Sequence, residues 1–477
     1  PYLPPMYLFG WGVVLMSLVV WSFRPYKSVR RAIAPALSVF TLADLVILQL
    51  PRLTNYPFSL AWSEGSRIYE ASQMYSLLVY GIQLPLPLLD AGRAILQGIP
   101  FLLPGLPIAA HRFWLLALEL GTALGTALLL ARRLQLRNKI NTAFFVVWTI
   151  LFLYQGPVFP HLIVITWLVL WQFDERSPWR NLIWVILASL WAGITRINWF
   201  PVAGSLAAIL YLTSTIQDKK QPWWRYLLPP AVYLGAGSLT ALLVYLGYIR
   251  VSGNPSGDFG TSLNSTLIWE RLWPNASFGL GILPGILLVS LPLLAMTAAH
   301  LIRCRGAWKP LRVASIGAIL LVFFAGGVIV SLKIGGGNNL HNLDAFLVQL
   351  LVVCSLILSE RFMPDTPRAI QPVQWTPIWL GLAVILPVAF TLFTQRAVTE
   401  PTQTATSEAL AYIQKTVEQA NEDNEAVLWM SERQLLAFHN VPYTQLIPEY
   451  ERVVIAEMAM AGNYKYFETY RDALAAK

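Results

Sequence analysis

Charge is scarce in this chain. Asp, Glu, Lys and Arg make up 12% of its 477 residues, against about a quarter in soluble domains. With 56% hydrophobic residues, a soluble globule could not cover its own surface with polar groups. Cysteine is nearly absent. Cys304 falls in a basic connector and Cys354 in an apolar run. They are expected at different depths, so a disulfide is not expected and a cysteine metal site is excluded. There is no Walker-type phosphate loop and no internal repeat, which argues against an ATP-driven pump subunit. The net charge of +9 does not point to nucleic acid, because the basic residues are not gathered on one soluble face.

What the sequence has instead is apolar runs. A spanning helix needs about 20 mostly apolar residues. Candidate spans lie near residues 6–23, 33–51, 113–131, 141–155, 158–173, 181–195, 198–216, 226–249, 278–301, 313–333, 345–360 and 373–394. Nineteen Trp suit a chain with many membrane interfaces. Every second connector is basic: Arg24 to Arg31, Arg132 to Lys139, Arg176 with Arg180, Lys219 to Arg225, Arg303 to Arg312, and Arg361 with Arg368. These are expected in the cytoplasm. The opposite side then holds the stretch 51–111, the loop 251–277, the turn 333–344 and the tail from 395.

The expected fold class is an α-helical polytopic membrane protein of about 12 transmembrane helices with a small extracytoplasmic α/β C-terminal domain. Residues 1–394 form the membrane domain, with a long external loop at 51–111, and 395–477 form the tail domain. In that tail 404–421 reads as an amphipathic helix and Ala426–Met430 as a strand. Ser431 can cap a helix running to about Phe438, and helices are expected over 450–462 and 464–476. Nothing before Tyr7 reads as a cleavable signal. A further helix could precede Pro1, and another strand could follow Lys477.

The first external loop carries Trp62-Ser-Glu-Gly65 just past a span. Ser63 can cap a helix beginning at Glu64, and Arg67 lies one turn on, on the same face. Asp90 and Arg93 are rare charges in the Pro- and Leu-rich stretch 84–106, which suits the membrane surface better than a span. This layout resembles the GT-C superfamily of membrane glycosyltransferases, the group of protein mannosyltransferases and aminoarabinose transferases. Two spans precede the loop here, where the family has one. The resemblance implies transfer of a sugar from a polyprenyl-phosphate donor to a glycan, lipid or protein acceptor outside the cytoplasm. It makes Glu64 the base, or a group holding a divalent cation; no other cofactor is implied, and no metal-ligand spacing is distinctive.

Other residues suit that chemistry. A lipid phosphate leaving as an anion needs positive charge nearby. Arg196, in Ile194-Thr-Arg-Ile-Asn-Trp199, and Lys333 are basic on the otherwise non-basic side. Gly335-Gly-Gly337 permits close backbone approach, and Asn338, Asn339, His341, Asn342 and Asp344 follow with sugar-binding groups. Asp44 and Glu119 lie inside spans, where a charge is costly and by default functional; Glu119 could pair with a neighbouring Arg. In the 251–277 loop Asp258, Glu270 and Arg271 are polar, and Trp269 and Trp273 read as interface anchors. His161, in a Pro-flanked turn, reads as structural. Asn264-Ser-Thr266 and Asn275-Ala-Ser277 match a short glycosylation pattern.

Two alternatives compete with the enzyme. A secondary transporter or lipid flippase suits the number of spans but ordinarily shows repeats. A non-catalytic assembly subunit leaves the external polar residues without a purpose. The orientation is directly testable. In intact cells an impermeant thiol reagent is expected to label Thr402→Cys, and to reach Lys220→Cys only after permeabilisation. Equal labelling of both in intact cells overturns it.

Overall fold

The computed structural model describes residues 5–22, 29–61, 63–88, 90–136, 138–218, 220–256, 259, 267–276, 278–333, 339–394, 401–425, 427, 429 and 431–441. The apolar runs form helices, because a helix satisfies its own backbone groups where water cannot. In chain order these are α1 (Pro5–Ser22), α2 (Val29–Gln49), α3 (Glu64–Tyr80), α4 (Ala91–Gln97), α5 (Ile108–Leu134) and α6 (Lys139–Gln155). Next come α7 (Pro160–Gln172), α8 (Pro178–Gly193), α9 (Val202–Ser214) and α10 (Trp223–Val251). The chain continues with α11 (Ile282–Arg303), α12 (Pro310–Lys333), α13 (Asp344–Leu358), α14 (Pro377–Thr394), α15 (Gln403–Glu422) and α16 (Gln434–Ala437).

Each apolar run expected as a span coincides with a helix to within a few residues. Seven helical stretches are long and apolar enough to cross a membrane among the described residues. They are Ala32–Arg52, Ile108–Leu134, Ile197–Ser214, Trp223–Val251, Ile282–Arg303, Pro310–Lys333 and His341–Leu358. Others, such as Pro160–Gln172, are shorter. Outward-facing Leu321 and Val322 of α12 are about two-thirds exposed, as suits a surface that lipid solvates. The chain is a helical membrane protein.

Helix α13 is the centre of the bundle. Every one of its residues is buried, and it packs against α9, α11, α12 and α5. Helices α8, α9 and α10 pack on one another. Gly204 of α9 sits against the α10 backbone at Tyr233, where a Cβ would collide with a carbonyl. The last span closes back on the early ones, since α14 packs against α2, α6 and α11. The Trp148 indole of α6 donates to the Ala383 carbonyl at 2.7 Å.

The two ends of the bundle are held differently. At one end arginines from the basic connectors cap helix C-termini, where the last carbonyls lack intrahelical partners. Arg312 is fully buried. It donates to the Leu212 carbonyl at 3.0 and 2.7 Å, to the Met363 carbonyl at 2.8 Å and to Asp365 at 2.9 Å. Arg361 donates to the Leu134 carbonyl and Arg133 to those of Leu170 and Phe173. The other end gathers the start of α5, the end of α8 and the start of α13 under α3 and α4.

The tail docks on this second end. Thr402 caps α15 by accepting the Ala405 N–H. Val417, Trp429, Leu435 and Val441 form a small core that takes in Phe58 of the first loop. The helix expected to be capped by Ser431 begins at Gln434 instead. Among the described residues there is no strand. The strand expected at Ala426–Met430 falls only in part on described residues, and the helices expected beyond 450 lie outside them.

The Arg312 staple yields a stability prediction. Breaking a buried pair by removing one partner costs about 3–5 kcal/mol. Arg312→Ala is therefore expected to lower the melting temperature in detergent, and Arg312→Met with Asp365→Asn to recover part of the loss. A variant Arg312→Ala that melts with the native protein contradicts the staple.

Candidate active site

The segment between α2 and α5 builds the site from two helices, α3 and α4, that start unusually. Ser63 precedes α3 with φ 61, and Asp90 precedes α4 with φ 51. Both are left-handed, a region uncommon for residues with a Cβ. Neither side chain caps its helix. The expected Ser63 cap is absent because a capping residue ordinarily has extended backbone, which aims its oxygen at the next turn's N–H groups. The Asp90 carboxylate turns to arginines instead.

Those arginines make a chain of ion pairs. Glu70 of α3 takes Arg93 at 2.6 Å, and Arg93 lies 3.4 Å from Asp90. Asp90 lies 3.7 Å from Arg196, which lies 3.9 Å from Asp344 at the start of α13. Asp344 is fully buried; its Oδ1 accepts from the Trp199 indole at 2.9 Å and from the Ala345 N–H at 2.7 Å. The loop is fixed to the bundle beside these charges, where the Gly92 N–H donates to the Ile194 carbonyl at 2.8 Å.

Phe159 lies at the middle of this group. The guanidiniums of Arg67 and Arg196 stand 5.1 and 4.9 Å from its ring centroid, within cation–π range. His161 stacks on the ring at 5.8 Å and His341 meets it edge-on at 5.9 Å. His341 Nδ1 is hydrogen-bonded with the Asn339 side chain. Arg196 Nη1, Asp344 Oδ2, Asn342 Nδ2 and His161 Nε2 are buried without a hydrogen-bond partner. Buried polar atoms are almost always paired, and leaving one unmade costs about 1–3 kcal/mol. Arg196 Nη1 and Asp344 Oδ2 face each other at 3.9 Å, a gap that a ligand hydroxyl would bridge.

Asp90 sits among these cations. Burial pushes its carboxyl up, but Arg93 and Arg196 outweigh burial and hold it below the ordinary carboxylate value. Glu119, on α5, has Arg67 and Arg52 as its electrostatic neighbours, as expected for an acid inside a span. Arg433 of the tail has Glu70 and Tyr69 as neighbours, which places the tail's docking point beside the ion-pair chain.

The structure therefore brings together Arg67, Asp90, Arg93, Arg196, His341 and Asp344, and Asn342 lies in the same short turn as His341. Lys333 closes α12 at the same end, beside the Leu332 carbonyl that receives the Ile268 N–H. Asn338, with Gly335–Gly337, lies outside the described residues, as do Trp62, Asp258 and 264–266. Glu64 is held by Arg112 of α5: Oε1 accepts from Nε at 2.8 Å, and Oε2 accepts from the Leu60 N–H at 2.5 Å. Arg112 also donates to the carbonyls of Thr54, Tyr56 and Phe58. Glu64 and Arg67, one turn apart, thus face different partners.

Sequence reasoning missed Glu70, Arg112 and Phe159. Arg112 carried a signal: a cation at a helix N-terminus opposes the helix dipole and calls for a compensating carboxylate. Among the described residues no three His, Cys, Asp or Glu side chains come together to hold a metal. The acids that approach one another, Asp90 and Asp344, have the Arg196 guanidinium between them. That arrangement does not fit a cation.

The depressed Asp90 carboxyl gives a pH prediction. Its contribution to stability is fully present above the unfolded carboxylate pKa of about 3.9 and is lost as pH falls through the lower folded value. The melting-temperature gap between the native protein and Asp90→Asn is expected to be constant near neutrality and to close in acid. A gap that widens in acid contradicts it.

Comparison with family models, with curated proteins and with solved structures finds no match to this chain.

Proposed function

We propose that this protein is a membrane glycosyltransferase that moves a sugar from a polyprenyl-phosphate donor to an acceptor on the non-cytoplasmic side. The observation that carries this reading is the convergence of Arg67, Asp90, Arg93, Arg196, His341 and Asp344 at one end of the helical bundle. These residues come from a loop, an interhelical turn and a helix start that are far apart in sequence. The reading takes all twelve apolar helices as spans, with the site at the end opposite the basic connectors.

In this reaction the acceptor hydroxyl attacks the anomeric carbon as the bond to the phosphate oxygen breaks. The hydroxyl proton passes to a carboxylate, and the phosphate leaves as an anion. A base must be ionised and within reach of the hydroxyl. Asp90 meets the first condition, because its arginines keep it ionised at neutral pH. Its ion pairs, at 3.4 and 3.7 Å, are longer than direct charge-assisted bonds of about 2.7–2.9 Å, so an oxygen remains able to accept. Glu64 is engaged on both oxygens by Arg112 and Leu60. We therefore assign the base to Asp90 and a positioning role to Glu64, which shapes the loop. Arg196 and Arg67 offset the developing phosphate charge, and His341 and Asn342 bind sugar hydroxyls.

Transfer of a radiolabelled hexose from polyprenyl phosphate by the protein in membrane vesicles tests this. Loss of a general base typically costs about 10²–10⁴ in rate. Asp90→Asn is expected to fall in that range while still being folded and inserted. Undiminished transfer by Asp90→Asn overturns the assignment. No transfer by the native protein with any polyprenyl-phosphate sugar overturns the function.

A further inference from the structure

A cavity lies between the first external loop and the tail, and none of the ion-paired residues lines it. Its volume is about 330 Å³, and its walls include Asn55, Tyr80, Phe101, His111, Phe438 and Asn440. The cavity needs both parts of the chain. Gln434 of the tail donates to the Pro57 carbonyl at 2.9 Å, and Glu432 accepts the Ser59 N–H at 2.7 Å. These bonds seat α16 on α3 and carry Phe438 over Phe101.

The lining defines the ligand. Phe101 stacks on Phe438 at 5.9 Å, and His111 lies 4.2 Å from Phe101 and 5.0 Å from Phe438; Phe101 and His111 are themselves buried, so the rings open to the cavity are Tyr80 and the half-buried Phe438. Aromatic faces receive the C–H face of a pyranose. Asn55, His439 and Asn440 supply amide and imidazole groups for hydroxyls. Among the described residues no Asp, Glu, Lys or Arg lines the cavity, so those residues offer no charge to a phosphate or a carboxylate. The size is at the lower end of small-ligand sites, about 300–1,000 Å³, which suits one sugar ring better than a chain. His111 adjoins Arg112, the residue that holds Glu64.

We propose that this cavity is a binding subsite for one neutral sugar ring. That the ring belongs to the acceptor glycan rests on the transferase reading; that the cavity takes a neutral sugar does not. The site combines aromatic rings with amides, and among the described residues no charged side chain lines it.

The test is saturation-transfer NMR on the full chain in lipid nanodiscs without donor. The probes are methyl α-D-mannopyranoside, methyl α-D-glucopyranoside and methyl β-D-galactopyranoside. At least one is expected to bind. Phe438→Ala and Asn440→Asp are expected to weaken it about ten-fold or more, the equivalent of one lost contact of ordinary strength. Asp90→Asn is expected to leave it unchanged. Should Phe438→Ala fail to fold, Asn440→Asp with a native melting temperature decides alone. The proposal is overturned if no probe binds, if binding survives the substitutions in folded protein, or if Asp90→Asn abolishes it. Sugar binding by a protein that transfers no sugar leaves the subsite standing and removes only the transferase reading.

Discussion

Five charged side chains, three buried and two partly buried, organise the non-basic end of this molecule. Glu70, Arg93, Asp90, Arg196 and Asp344 form an unbroken series of ion pairs that links α3, α4, the turn after α8 and the start of α13. Desolvating charges is expensive, and apolar side chains of similar volume often serve stability as well or better. Such a series is weak as a stabilising device, and its members are placed where chemistry would use them. Asp90 gives up a helix cap and adopts a left-handed backbone to join it. Strain of that kind gathers at functional sites.

Much else at this end serves to hold that series in place. Arg112 ties Glu64 and three loop carbonyls to the start of α5, so the segment before α3 cannot drift from the bundle. Phe159 gives the Arg67 and Arg196 guanidiniums a common face. The tail adds a further clasp through Gln434 and Glu432, with Arg433 beside Glu70. At the opposite end Arg312 does the corresponding structural work with backbone carbonyls alone and one aspartate.

The helices were legible because lipid demands long apolar runs, a signal that survives in a single sequence. Arg196 was legible for a related reason: it breaks the alternation of basic connectors, and the structure places it between two aspartates. The pairing of charges was not legible. Glu64 and Arg67 suit one another by helical spacing, yet Arg112, 48 residues on, takes the carboxylate because it satisfies loop carbonyls at the same time. Local spacing carries no information about such a partner. Phe159 gave no sign either, since a Phe beside prolines reads as an ordinary apolar turn. The tail's later helices lie outside the described residues, and its expected strand falls on them only in part, with no strand at the positions described.

The central claim is spatial: the donor's phosphate and sugar belong beside Asp90 and Arg196, at the end of the bundle opposite Arg312. An electron cryo-microscopy map of the protein with a non-cleavable polyprenyl phosphonate sugar measures this directly. The account predicts the phosphonate within hydrogen-bonding distance of Arg196 and the sugar between Asp90 and His341. Head-group density at any other place, or among the basic connectors, would contradict it.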